Sequence, residues 1–250
     1  MYTIFVKKRQ IKNFFFKGSD KMLRLNKKCI IAIDGGAGVG KTTVSKNLSK
    51  KLGILYIDTG AMYRASALYF LNNNIEITDE NISNNLDKIN IDLKVNGENN
   101  IVILNGVDVT SKIRTEEVSM AASTVSKNSN LRKKLVEEQR KIAGNVSVVI
   151  EGRDTTTVVF PNADLKLFLT SNINTRAKRR YEDLKENEKK ITSIEIVKED
   201  MVKRDIQDST REDSPLTKVN DAIEIDTTNN TVEDTTNVII DILKEKGMLD

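Results

Sequence analysis

Residues 29–43 read CIIAIDGGAGVGKTT. The opening run, Cys29 to Ile33, is short, apolar and rich in β-branched residues, the composition of a strand buried on both faces. Gly35-Gly36-Ala37-Gly38-Val39-Gly40-Lys41-Thr42 then matches G-x-x-x-x-G-K-[ST], and a helix is expected from about Lys41 to Leu52. Strand, glycine turn and helix in this order make a phosphate cradle. The glycines let successive backbone N–H groups converge, and the helix N-terminus adds partial positive charge. Lys41 brings a full charge to β- and γ-phosphates, and Thr42 offers a hydroxyl to Mg²⁺. The segment from Gly35 to Thr43 is therefore the expected triphosphate site. A plain glycine-rich turn capped by a Thr is the competing explanation, and it leaves Lys41 without a purpose. The motif alone does not separate GTPases, motor ATPases and kinases. The chain has no Asn-Lys-x-Asp segment of the kind a guanine-specific GTPase uses.

Further short apolar runs fall at 54–57, 146–150, 165–169 and 222–225, with helical stretches at about 60–71, 115–126, 130–143, 193–208 and from about Thr231. Asn172 is the expected N-cap of one more helix, and Asp234, three residues after Thr231, is placed for a capping box. Five such strands separated by helices predict an α/β fold of the P-loop NTPase type: a five-stranded parallel sheet with helices on both faces. Residues 91–109 break the alternation. The β-rich runs IDLKV, IVIL and VDV, with two Asn-Gly signals between them, read as an inserted antiparallel meander.

Composition narrows the chemistry. The 250 residues are 38% hydrophobic and 30% charged, which suits one medium-sized domain with a full core. No apolar run is long enough to span a bilayer. The lone Cys29 cannot form an internal disulfide, and a reducing cytoplasm is the expected setting. There is no histidine, so His-based nucleophilic sites and His-ligated metals are excluded. The net charge of +4 hides an asymmetry: residues 1–28 hold nine Lys or Arg and one Asp, leaving 31 basic and 35 acidic residues beyond. A slightly acidic body argues against a broad nucleic-acid face. Residues 1–28 are expected to be a basic extension, disordered or not native, with Met22 a plausible start.

Three more clusters carry candidate chemistry. Asp58-Thr59-Gly60-Ala61-Met62-Tyr63-Arg64 follows the second strand, and a hydroxyl with an arginine in the first turns of a helix makes a phosphate pocket. An N-capped helix with an exposed arginine would look the same. Glu151-Gly152-Arg153-Asp154 follows the 146–150 run. There the acid can reach Mg²⁺ through water, the arginine a phosphate and the aspartate a base, or the stretch is a strand-end turn with an ion pair. Arg204, Asp208 and Arg211 share one helix face, and taken alone a solvated ion-pair ladder is their default.

Together with AASTVS, LRKKLVEEQR, EGRDTTTVVFPNADLKLFLT, RDIQDSTREDSPL and DAIEIDTT, these segments make residues 29–228 resemble the bacterial cytidylate kinases. The resemblance implies transfer of the γ-phosphate of ATP to CMP, and to dCMP, with Mg²⁺ as cofactor. It implies that Thr59, Arg64, Arg153 and Arg211 hold the CMP phosphate, that Arg204 reaches the phosphates and that Asp208 binds the ribose. Ser123, Arg132 and Asp154 would read cytosine: Asp154 and Ser123 can accept from N4, and Arg132 can donate to N3 or O2. Lys41, Arg153, Arg204 and Arg211 would carry catalysis, Thr42 would ligate the metal, and Glu151 would reach it through water. The nucleoside-monophosphate-binding insertion would span about 78–128. A helical lid would span about 176–198 and close onto ATP with Arg176, Arg179 and Arg180. A monomer without nucleic-acid or membrane partners is expected.

Two positions depart from the family pattern. Gly36 stands where proline is usual, and Thr155-Thr156-Thr157 stands where x-Gly-Thr is usual. If that glycine needs positive φ or gives a ligand room, Thr156 would be strained. The competing readings are a P-loop kinase for UMP, AMP or shikimate, an ATP-binding module without turnover, and a nucleic-acid role for the basic extension.

Overall fold

The computed structural model describes residues 23–96, 99–187 and 193–249. Five parallel strands form the central sheet: β1 (Ile30–Gly35), β2 (Leu55–Asp58), β6 (Val148–Gly152), β7 (Leu165–Thr170) and β8 (Ile223–Asp226), ordered β2-β6-β1-β7-β8. β1 lies at the centre, with Ile33 opposite Glu151 on one side and Leu167 on the other. This register brings the carboxyl ends of β1, β2 and β6 to one rim, where ligands of open α/β sheets bind.

Alternation along the strands divides the core. Ile31, Ile33, Val149 and Leu167 face α1 (Lys41–Leu52) and α8 (Val232–Glu245), packing on Val44, Leu48, Ile239 and Leu243. Ala32, Ile57, Val148 and Ile150 face the other way, onto Val136 and Ala143 of α5 (Ser129–Ala143). Thr231 and Asp234 form the expected capping box at the start of α8. The Asn172 carboxamide oxygen accepts the backbone N–H of Asn174, 2.8 Å away, at the start of α6 (Ile173–Asn187).

The insertion has its own core. α2 (Thr59–Asn72), α3 (Asp79–Asn85), the antiparallel strands β3 (Ile91–Asn96), β4 (Asn99–Leu104) and β5 (Val107–Asp108), and α4 (Glu116–Val125) enclose Phe70, Ile82, Ile89, Val102 and Ile113. The β4–β5 turn uses Asn105 and Gly106, both at positive φ, as a two-residue hairpin requires. The other Asn-Gly signal is at Asn96-Gly97, and Gly97 lies outside the described residues.

α6 and α7 (Ile194–Thr210) pack through Ala177, Val197 and Met201. The expected lid, about 176–198, covers parts of both; residues 188–192 of it lie outside the description.

The body extends at least to Leu23, not only to Cys29. Leu23 and Leu25 pack on the α1–α8 core, and Leu25 bridges to Leu249. The rest of the proposed extension, residues 1–22, lies outside the described residues.

Candidate active site

The chain leaves β1 through the glycine turn and enters α1 with Gly40 in the left-handed region, φ 92°, and no side chain capping the helix. The first-turn N–H groups are therefore left for a ligand, and no acidic side chain competes for them. Lys41 folds back over the turn, its ammonium donating to the carbonyls of Gly35 at 2.8 Å and Gly36 at 2.7 Å. Burial, reinforced by the charge of Arg153, pulls its pKa down to about 7. The Thr42 hydroxyl donates to Glu151 Oε1 at 2.5 Å, and Tyr56 donates to the same oxygen at 2.9 Å.

Across the rim, Asp58 ends β2 and caps α2, Oδ1 accepting the Ala61 N–H at 2.8 Å. Its Oδ2 accepts from Arg64 at 2.9 Å and from Arg114 at 3.2 Å. The Thr59 hydroxyl donates to the Glu151 carbonyl at 2.9 Å. From α7, Asp208 accepts from Arg153 Nε at 2.8 Å and lies 3.8 Å from Arg211. Arg204 pairs with no acid among the described residues, and burial together with the charge of Arg153 pushes its pKa down to about 10. Nε of Arg64, Nε of Arg204 and Nη2 of Arg211 are buried without an acceptor among the described residues. Buried cationic N–H groups lacking partners are costly, and an anion between them removes that cost.

Deeper, Arg132 forms a buried ion pair with Asp154, donates to the Ser126 carbonyl at 2.9 Å and stands over the Tyr63 ring at 5.4 Å. Burial pushes the Asp154 carboxyl up against the opposing pull of Arg132 and Arg211. Gln207 Nε2 donates to Ser123 O at 3.0 Å and to Ser123 Oγ at 2.6 Å. The turn residues, the arginines and these groups line one cavity of about 780 Å³.

Helices α6 and α7 grip the glycine turn. Arg176 pairs with Asp205 and donates to the Ala37 carbonyl at 3.1 Å, while Asp205 Oδ1 accepts the Ala37 N–H at 3.1 Å. Arg179 donates to Thr227 O at 2.7 Å. Arg180 pairs with Glu116 of the insertion, and both line the cavity.

The expected site residues line this cavity, except Gly35, Gly36 and Arg176. Gly36 and Thr156 are both accommodated. A Cβ on Gly36 would lie 3.1 Å from Arg176 Nη1 and from Asp205 Oδ1, so the small residue makes room for the lid's grip. The expected strain at Thr156 is absent, because its φ is not positive and its N–H and hydroxyl both bond to the buried Asp34. The structure also brings in Asp58, Tyr63, Arg114, Glu116, Asp205 and Gln207, to which the sequence assigns no role. Asp58 and Asp205 stand inside quoted motifs and were within reach; Arg114 and Glu116 carry no local signal.

The family model for cytidylate kinase matches residues 31–245. A cytidylate kinase of Thermosipho melanesiensis is 47% identical over 221 residues, 88% of this chain and 99% of that protein. One from Caldicellulosiruptor saccharolyticus is 46% identical over 217 residues, 86% of this chain and 96% of that protein. A bifunctional pantoate ligase/cytidylate kinase of Prochlorococcus marinus is 45% identical over 229 residues, 91% of this chain and 45% of that protein.

Proposed function

The chain belongs to the cytidylate kinase family and phosphorylates CMP with ATP, and we propose that the transfer takes place in the cavity between the glycine turn and the arginine cluster, with dCMP as a second acceptor. The observation that carries this is the convergence of Arg64, Arg153, Arg204 and Arg211 on the same cavity as the uncapped N-terminus of α1. That is a place for two phosphates, side by side.

In this reading Gly35 to Thr43 wrap the ATP phosphates and Lys41 holds the β- and γ-phosphates. Thr59, Arg64, Arg153 and Arg211 hold the CMP phosphate, Arg204 reaches between the two, and Asp208 takes the ribose. An oxygen of the CMP phosphate attacks the γ-phosphorus while the bond from that phosphorus to the ADP oxygen breaks. The nucleophile is already ionised at neutral pH, so no general base is needed. The protein's work is alignment and charge neutralisation.

Ser123, Arg132 and Asp154 read the base. Asp154 accepts from cytosine N4, whereas the O4 of uracil would set acceptor against acceptor, costing about 1–3 kcal/mol. Arg176, Arg179 and Arg180 close the donor side and keep water from the transferring group.

The Thr42 hydroxyl and the Glu151 carboxylate are hard oxygen donors on one face of the cavity and fit Mg²⁺. Among the described residues no three His, Cys, Asp or Glu side chains cluster to hold an ion alone, so the remaining ligands would be phosphate and water. Held there, Mg²⁺ would supply charge neutralisation to the phosphates.

A monomer is the working unit in this reading. No helix among the described residues is long and apolar enough to cross a membrane. The decisive test is ADP release from ATP across CMP, dCMP, UMP, AMP and shikimate. Turnover with CMP and dCMP and little with the others is expected. ATP binding without CMP-dependent ADP formation would refute the proposal.

A further inference from the structure

Gln207 stands on α7 between the phosphate-side residues Arg204, Asp208 and Arg211, yet its own side chain turns to the base side. Its Nε2 reaches Ser123 at the C-terminal end of α4, 3.0 Å from the carbonyl oxygen and 2.6 Å from Oγ. The Ser123 carbonyl can only accept, which fixes the amide with its nitrogen toward Ser123. Both amide hydrogens are then spent on one residue. Ser126 Oγ donates to the same Ser123 carbonyl at 2.9 Å, and the Ser126 carbonyl accepts from Arg132, the partner of Asp154. One run of hydrogen bonds therefore joins α7 to all three groups that face the base.

We propose that Gln207 is a positioning residue for base selection: it holds Ser123 against cytosine and sets the spacing between the base pocket and the phosphate-gripping face of α7. This rests on the assignment of Ser123 to the base. The bond from Gln207 occupies one lone pair of the Ser123 hydroxyl and fixes its oxygen. Freed of that bond, the Ser123 side chain can turn its oxygen away from cytosine N4, and selectivity falls accordingly. Gln207 also walls the base pocket from a second cavity of about 620 Å³ lined by Asp79, Lys127, Asn128, Glu212 and Asp213.

The test compares the full chain with Gln207→Leu, which keeps the bulk and removes both donors, and with Ser123→Ala and the double variant. Two neutral hydrogen bonds are lost in Gln207→Leu, so KM for CMP should rise by about tenfold and the CMP/UMP ratio of kcat/KM should fall by about fivefold or more. KM for ATP should stay within about twofold. In the Ser123→Ala background, Gln207→Leu should change the ratio by less than about twofold. A merely structural role would lower thermal stability without moving the ratio. An unchanged ratio in Gln207→Leu, with Ser123→Ala lowering it, overturns the proposal while sparing the base assignment. A Ser123→Ala enzyme with unchanged ratio overturns both. Should Gln207→Leu not fold, Gln207→Glu, isosteric and without donors, is read against the same outcomes.

Discussion

Thr156 gives both its backbone N–H and its hydroxyl to a single carboxylate oxygen, Oδ2 of Asp34, each at 2.7 Å. Thr155 does the same for Oδ1, at 2.9 and 2.7 Å. Asp34 is fully buried at the end of β1, and these four bonds are what its charge receives in place of water. They also fasten the segment after β6 to the strand that feeds the glycine turn. Thr156→Val removes one donor at constant shape and should destabilise by about 1–3 kcal/mol. Thr156→Gly, the family's usual residue, should cost a similar amount through the lost hydroxyl and the freer unfolded chain. Urea unfolding measures both. A glycine variant as stable as the parent would show that the hydroxyl contributes nothing.

Asp58 holds two guanidinium groups with one oxygen and the first turn of α2 with the other. Asp58→Asn keeps an acceptor for the Ala61 N–H, so the helix cap survives while the charge goes. Arg64 and Arg114 then repel each other with no anion between them. KM for CMP should rise by about tenfold and KM for ATP by less than about twofold. Equal changes in both constants would show that Asp58 acts on the fold rather than on the acceptor site.

Lys41→Ala should lower kcat by at least about 100-fold and leave the fold intact. The second half follows from the lysine's surroundings. Its pKa is pulled down to about 7 because burial and Arg153 disfavour the charge, so the ammonium is a burden to the empty protein that alanine lifts. Circular dichroism and a thermal melt check the fold, and ADP release checks the rate. Retained turnover in the folded variant would remove Lys41 from the mechanism.

Cys29 tests the core. Burial first, and the charge of Asp164 second, push its thiol up to about 12 from an ordinary 9.0. The thiol should resist alkylation at pH 8 in the native protein and react fully in denaturant. The folded state favours the protonated form, so its contribution to stability is complete below pH 9 and lost as pH rises toward 12. A native thiol that reacts at the denatured rate would place Cys29 outside the core.

The strands and most helices were legible because each carries a local pattern. Gly40 and Lys41 announce α1, and Thr231 with Asp234 announces α8. The candidate site was legible where it sits in contiguous motifs. It was not legible where function depends on convergence: Arg114 meets Asp58 across 56 positions, and Gln207 meets Ser123 across 84. Arg180 pairs with Glu116 across 64 positions, and no window of sequence contains both. Thr156 looked strained because the family's glycine suggested a backbone demand, and the role of its hydroxyl emerges only when Asp34 is placed beside it.

Gly36 and the Arg176–Asp205 pair form the contact between helices α6 and α7 and the glycine turn, and their dependence on one another is measurable. A Cβ at residue 36 would stand 3.1 Å from both Arg176 Nη1 and Asp205 Oδ1, tighter than ordinary packing. Both atoms end flexible side chains, so they can yield, but the yielding pulls Asp205 from the Ala37 N–H and Arg176 from the Ala37 carbonyl. Gly36→Ala should therefore raise KM for ATP by about two- to fivefold, and Asp205→Ala by more, since it frees both partners. Once Asp205 is gone the added methyl has little left to disturb, so Gly36→Ala in that background should be close to neutral. Strict additivity of the two effects would mean that the glycine serves the turn's backbone alone and that the lid's grip owes nothing to it.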